Sequence, residues 1–189
     1  MTITPSIDII IPNYNKAKFL NKCLESVINQ SYKNWIIYLI DDFSNDDSKK
    51  VLEKYDKSEK IKIFFLNKNY GPYYCRNLGI KKSSSEYVAF LDSDDFWPKD
   101  KLKSQLLEMH KNNYEFTFTD LSYFKKNEEE KQKLINLPNF YDYKKFIKHS
   151  TMSTSSIILK REIINETTFK DIKHEDYLFK CDLLRRDIT

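Results

Sequence analysis

An α/β fold with a mostly parallel sheet covered by helices is predicted by three observations. Short apolar runs alternate with helical patterns through the first two-thirds of the chain. Polar or acidic turn motifs stand just after three of those runs. The composition, 40% hydrophobic and 32% charged over 189 residues, suits one packed domain and leaves two independent cores improbable at this length.

The elements follow in order. Residues 7–11 read as a strand that ends on Pro12-Asn13-Tyr14-Asn15. Phe19, Leu20, Cys23, Leu24, Val27 and Ile28 then form a stripe at helical spacing, with Asn15 placed as its N-cap. A second strand over 35–40 ends on Asp41-Asp42. A helix over 48–55, a third strand over 61–66, a helix over 72–81, a fourth strand over 87–91 and a helix over 99–111 complete the repeat. Strand, helix and strand in succession imply parallel pairing through crossovers, and ligands in such sheets bind beyond the carboxyl ends of the strands.

A fifth strand is expected over 114–118. The stretch 125–133 is nearly all charged and polar and reads as a solvated loop dividing the chain into unequal halves, 1–120 and 140–189. The second half offers a helix over 141–148, a strand over 155–159 and a last helix over 175–186, in which Tyr177, Cys181 and Leu184 supply the inward stripe. With no strand after that helix, the chain reads as a C-terminally truncated piece of a longer protein.

Composition excludes several function classes. Two glycines, Gly71 and Gly79, cannot build the Walker or Rossmann phosphate loops, so they are expected where the backbone needs a special dihedral or a close approach. Cys23, Cys75 and Cys181 are odd in number and far apart, which opposes a zinc site or a disulfide framework and fits reduced, buried thiols in a cytoplasmic protein. No run is long and apolar enough for a membrane span. The net charge of +4 mildly favours anionic partners.

The chemistry gathers where the sheet argument places a ligand. Asp92-Ser93-Asp94-Asp95 crowds three carboxylates after the fourth strand, where they repel unless a cation lies among them, and an all-oxygen donor set suits Mg2+ or Mn2+. The structural alternative is that Asp94 or Asp95 caps the following helix. Asp41-Asp42 has a similar alternative in an Asx turn. Tyr14 is either a loop aromatic or a stacking platform for a nucleobase. Arg76 falls near the start of a helix, where the dipole disfavours a cation, so an acidic or ligand partner is expected. Asp176 is either a helix N-terminal acid or a general base, and His174 reads as a surface residue. Lys125, Lys126, Lys144, Lys145 and Lys148 read as solvated faces.

At these residues the sequence resembles family 2 of the inverting glycosyltransferases, which share the nucleotide-binding GT-A fold with a Rossmann-like, mostly parallel sheet. Ile9-Ile10-Ile11-Pro12-Asn13-Tyr14-Asn15 resembles the family's first strand and base-binding loop, and Ile40-Asp41-Asp42-Phe43-Ser44 its second-strand motif. Arg76-Asn77-Leu78-Gly79-Ile80 matches another recurrent segment. Phe90-Leu91-Asp92-Ser93-Asp94-Asp95 is similar to the metal-binding Asp-x-Asp, and Glu175-Asp176 to the acidic pair that supplies the base. Two departures stand out: proline at 98 comes one position early, and Tyr73-Tyr74-Cys75 replaces smaller residues.

The resemblance implies a transferase that uses a nucleotide-sugar, UDP-linked by preference, and a saccharide or lipid-linked saccharide acceptor in surface-polysaccharide synthesis. It implies Mn2+ or Mg2+ as cofactor, no nucleic-acid partner and peripheral contact with the inner face of the cytoplasmic membrane. Its binding residues would be Pro12, Tyr14, Asp42, Arg76, Asp92 and Ser93, its metal ligand Asp94, and its catalytic acids Asp176 and Glu175. The halves 1–120 and 140–189 would then bind nucleotide and acceptor. A nucleotide-sugar-binding module without transfer is the alternative. A haloacid-dehalogenase-like phosphohydrolase is disfavoured, because that chemistry needs its nucleophile on the first strand, which here ends in Pro12-Asn13.

Overall fold

The computed structural model describes residues 5–124, 131–164 and 167–186. Four parallel strands form one side of a six-stranded sheet: β1 (Ile7–Asn13), β2 (Trp35–Asp41), β3 (Ile61–Phe65) and β4 (Tyr87–Phe90). β5 (Phe116–Thr117) and β8 (Ile158–Lys160) extend it antiparallel, in the order β3-β2-β1-β4-β8-β5. The chain winds outward from β1 through β2 to β3 and then returns to place β4 on β1's other side. The junction of β1 and β4 is therefore the switch point at which such sheets open a crevice for ligands.

Each central strand buries both faces, so its residues alternate between two cores. Ile7, Ile9, Ile11, Ile37 and Leu39 pack under α1 (Ala17–Ile28) and α4 (Lys101–Asn112), with α2 (Ser48–Leu52) contributing Leu52. Ile10, Tyr38, Ile40, Val88 and Phe90 pack under α3 (Pro72–Lys82), α5 (Tyr143–Lys148), α6 (Arg161–Ile164) and α7 (Glu175–Leu184). Both glycines serve as expected. Gly71 has φ +92, and a Cβ on Gly79 would stand 2.5 Å from Ile10 Cγ2, so α3 lies directly on β1. All three cysteines are buried and free.

Several expectations change. Asn15 does not cap α1: it has φ 52, Lys16 takes the cap position without a side-chain bond, and the Ala17 N–H donates to Asp46 Oδ2 across the loop. Neither Asp94 nor Asp95 caps α4, which is preceded by Asp100. The fifth strand shrinks to two residues, and the strand expected over 155–159 starts later because Thr154–Ser156 forms a 3-10 turn. Of the loop expected over 125–133, residues 125–130, Lys125 and Lys126 included, lie outside the described residues. Residues 131–133 instead belong to β7 (Lys131–Ile135), paired antiparallel with β6 (Leu121–Phe124); Lys131 and Lys133 hid the β7 pattern. Lys144, Lys145 and Lys148 are exposed, as is His174. Among the described residues, no helix is long and apolar enough to cross a membrane.

Candidate active site

The site is built on the loops that follow β1, β2 and β4. Asp41 and Asp42 are adjacent and buried, yet they do different things. Asp41 accepts from Asn13 Nδ2 at 2.7 Å and from the Ser44 hydroxyl and amide at 2.7 and 3.0 Å, so it ties the β1 and β2 loops together. Asp42 faces the opposite way and accepts the amides of Tyr70 and Gly71, both at 2.8 Å. Those bonds fix the left-handed Gly71 that opens α3. Between these anchors Tyr14 is left with its ring exposed, and Pro12 is half-buried below it in sequence at the end of β1.

Arg76, one turn into α3, is buried and bridges two acids. Its Nη2 donates to Asp92 at 2.6 Å and its Nη1 to Glu175 at 2.5 Å, while its guanidinium carbon lies 5.3 Å from the centre of the Phe169 ring. Burial alone would lower its pKa; the carboxylates of Asp92 and Glu175 outweigh that and hold it above the usual value. The partner demanded by its helix-start position is thus two partners, 16 and 99 residues away.

The 3-10 turn Thr154–Ser156 makes the second connection. The Asp92 amide donates to Ser155 Oγ at 3.0 Å, and the Ser155 hydroxyl also bonds the Asp95 carboxylate. Trp97 Nε1 donates to the Ser155 carbonyl at 2.8 Å. Next to it, Thr154 Oγ1 donates to Asp176 Oδ2 at 3.3 Å. The acidic loop after β4 and the start of α7 are therefore fastened to adjacent residues of one turn.

Glu175 and Asp176 diverge as Asp41 and Asp42 do. Glu175, only 13% exposed at its side chain, is committed to Arg76. Asp176 remains 36% exposed and pairs with buried Lys180 at 2.9 Å, one helical turn on. Partial burial would raise its pKa, but the Lys180 ammonium, and behind it Arg76, hold it below the ordinary carboxylate value. Lys180 is itself bonded to the Met152 carbonyl at 2.8 Å.

Asp94 stands apart from these contacts. Its Oδ2 receives Lys16 Nζ at 2.6 Å, with both side chains about 40% exposed. Among the described residues no three His, Cys, Asp or Glu converge as a metal cage. A divalent ion here would have Asp94 as its protein ligand and draw its other oxygens from a substrate's phosphates and water, a common arrangement for Mg2+. The ammonium already seated on Asp94 is a stand-in for such a cation, and the hard oxygen donor fits it.

A cavity of about 970 Å³ adjoins the acidic loop, walled by Asp95, Trp97, Lys101, Phe118, Tyr141 and Ser155. A smaller one of about 580 Å³, beside Asn77, Ser83 and Arg161, lies toward the amino ends of the strands, where Arg161 braces Asp8 and Ser83, and none of the site acids lines it.

With this geometry in hand, the sequence profile of the family described as Glycosyl transferase family 2 matches residues 8–169. The chain belongs to glycosyltransferase family 2. An uncharacterized glycosyltransferase of Haemophilus influenzae is 38% identical over 182 residues, covering 96% of this chain and 72% of the relative. The Escherichia coli enzyme WfgD, a UDP-Glc:alpha-D-GlcNAc-diphosphoundecaprenol beta-1,3-glucosyltransferase, is 31% identical over 180 residues, covering 95% and 70%. Among solved structures, Staphylococcus aureus TarS 1-349 in complex with UDP-GlcNAc superposes with a TM-score of 0.79 at 22% identity, covering 95% of this chain and 53% of that one. The last comparison establishes the shared GT-A fold. This family 2 chain spans about half of that solved protein.

By sequence, Asp42 and Asp92 fall at strand ends and Arg76, Glu175 and Asp176 at helix starts; the structure joins Arg76, Asp92 and Glu175 directly, whereas Asp176 is held by Lys180 and Thr154 and Asp42 by the Tyr70 and Gly71 amides. Ser93 is buried beside them in the loop. Sequence reasoning missed Lys16, Thr154, Ser155 and Lys180. Only Lys180 carried a readable signal, its i,i+4 spacing from Asp176.

Proposed function

We propose that this chain transfers a hexose or N-acetylhexosamine from a UDP-linked donor to a lipid-linked saccharide, with inversion at the anomeric carbon. The observation that carries the proposal is the double fastening of the acidic loop to α7, through Arg76 and through Thr154-Ser155, which gathers binding acids and a candidate base at one switch point. The UDP-Glc donor and diphosphoundecaprenol-linked acceptor of the relative WfgD support the substrate class, as does UDP-GlcNAc in TarS. Work on a lipid-linked acceptor would bring the protein to the cytoplasmic face of the membrane.

In this reading residues 1–120 hold the nucleotide and 140–189 the acceptor. The exposed Tyr14 ring stacks on the base beside Pro12, and Asp42, pinned by two amides, accepts from the base imide. Asp92 and Ser93 face the ribose and sugar, Arg76 holds Asp92 in place, and Glu175 holds Arg76. Asp94 would hold a divalent ion, Mn2+ or Mg2+, whose charge would neutralise the departing diphosphate. Asp176, its Oδ2 engaged by Lys180 and Thr154, offers Oδ1 to the acceptor hydroxyl. As the acceptor oxygen attacks the anomeric carbon, its proton passes to Asp176, the bond to the diphosphate breaks on the opposite face, and the electron pair leaves with UDP. A carboxylate held below its ordinary pKa cannot deprotonate an alcohol beforehand, so proton transfer accompanies attack.

The test is transfer from UDP-Glc and UDP-GlcNAc to a lipid-diphosphate-linked GlcNAc, with the product's anomeric configuration read by NMR. Asp176→Asn is expected to lose about 10²-fold or more in rate while binding UDP as before. Near-normal transfer by that variant removes Asp176 from the mechanism; UDP-sugar binding by the unaltered chain without turnover would leave a binding module.

A further inference from the structure

Lys16 is the N-cap residue of α1, a 12-residue helix with no acid in its first turn, so its side chain starts at the positive end of the dipole, where a cation is disfavoured, and its anion must come from another element. Its backbone cannot shift to relieve this. On one side the Asn15 amide donates to Ser44 Oγ at 3.0 Å and Asn15 Oδ1 receives the Asn45 amide at 2.9 Å; on the other the Ala17 amide is held by Asp46 at 2.9 Å. From this fixed base the side chain crosses from the β1 loop to the β4 loop and reaches Asp94 at 2.6 Å. The pair spans the mouth of the switch point. Arg76 and Lys180 are buried and locked on their acids, whereas Lys16 and Asp94 are 41% and 40% exposed and free to change partners at little cost.

Resting on the nucleotide-sugar reading above, we infer that Lys16 is an exchangeable counter-cation: it occupies Asp94 in the free protein, gives way to the divalent ion, and moves onto the donor's diphosphate. Metal and nucleotide then favour one another. Each releases a partner that the other needs, and by linkage the coupling is reciprocal.

The experiment is Mn2+ binding followed by electron paramagnetic resonance of the unbound ion, for the unaltered chain, Lys16→Met and Asp94→Asn, each with and without UDP. Removing Lys16 should tighten Mn2+ binding to the free protein by about two- to fivefold, the range set by an exposed ion pair. With UDP present the same variant should bind Mn2+ more weakly than the unaltered chain, because the diphosphate has lost its second cation. A merely structural lysine would move both affinities in one direction. Unchanged or weakened Mn2+ binding by free Lys16→Met overturns the exchange. Asp94→Asn separates this from the broader reading: if it retains Mn2+ binding, the metal assignment itself fails and the exchange with it. If it loses binding while Lys16→Met shows no opposite-sign response, only the exchange fails.

Discussion

Replacing Arg76 by Met tests whether charge compensation at a buried guanidinium holds the two halves of the site together. Met keeps most of the volume and removes the charge, leaving Glu175, 13% exposed, facing Asp92, 35% exposed, with no cation between them. Breaking a fully buried ion pair costs about 3–5 kcal/mol, chiefly through the acid left uncompensated. Asp92 retains part of its water, so the lower end, about 3 kcal/mol, applies. For a domain of this size that corresponds to a fall in melting temperature of about 6–12 °C. The assay is thermal unfolding by circular dichroism at pH 7.5, with UDP affinity by calorimetry alongside. Adding Glu175→Gln should recover more than half of the loss, because it removes the stranded charge. A single variant that melts with the unaltered chain, or a double variant no better than the single, would refute this account.

Two pH-dependent predictions follow from the buried lysines. Because burial is outweighed by Lys180, with Arg76 and the Tyr177 amide behind it, Asp176 is held below the ordinary carboxylate value and should put no acid limb into the transfer profile between pH 5 and 8; Lys180→Met removes the largest of those lowering influences, so the acid limb of kcat should move to higher pH. A profile unmoved by the substitution would separate Lys180 from the base. Lys101 is fully buried against Trp97 and Gln105, and burial pushes its pKa down to about 7 from 10.5. The unfolded chain then binds the extra proton between those values, so Lys101's contribution to stability rises with pH across that window, by up to about 1.4 kcal/mol per unit. Urea unfolding of the unaltered chain minus Lys101→Met at pH 7.5 and 9 should show that slope, and equal differences at the two pH values would count against it.

The central sheet was legible because its signal is strong and local. Trp35 to Ile40 is a continuous apolar run and Ile7 to Ile11 is broken only by the buried Asp8, as suits strands buried on both faces, and the helical stripe of Leu20, Cys23, Leu24 and Val27 stands between them. The edge was less legible. β5 and β8 are two and three residues long, β6 has only four, and β7 carries Lys131 and Lys133 with no clean alternation. At the site, the acidic loop and Arg76 could be found from composition and helix position. The partition of Asp41 from Asp42 could not be, since it depends on which loop lies on each side of β2's end. Thr154 and Ser155 gave no signal either, because a small hydroxyl residue earns its place only from what the fold brings to it.

Burial orders the three cations of the site, Arg76, Lys180 and Lys16, and thereby their tasks. Arg76 and Lys180 are 6% and 4% exposed at their side chains, and each is bonded to more than one group, so neither can release its acid without stranding a charge away from water. These pairs set geometry: Arg76 fixes Asp92 against Glu175, and Lys180 fixes Asp176 on the first turn of α7. Lys16 and Asp94 face solvent, where water can replace a lost partner and exchange is cheap. On the proposed function, a site that admits a diphosphate and a divalent ion and then releases both would need one pair of this second kind beside pairs of the first. Its position on the loops after β1 and β4, either side of the switch point, is where that reading would have the incoming charges received.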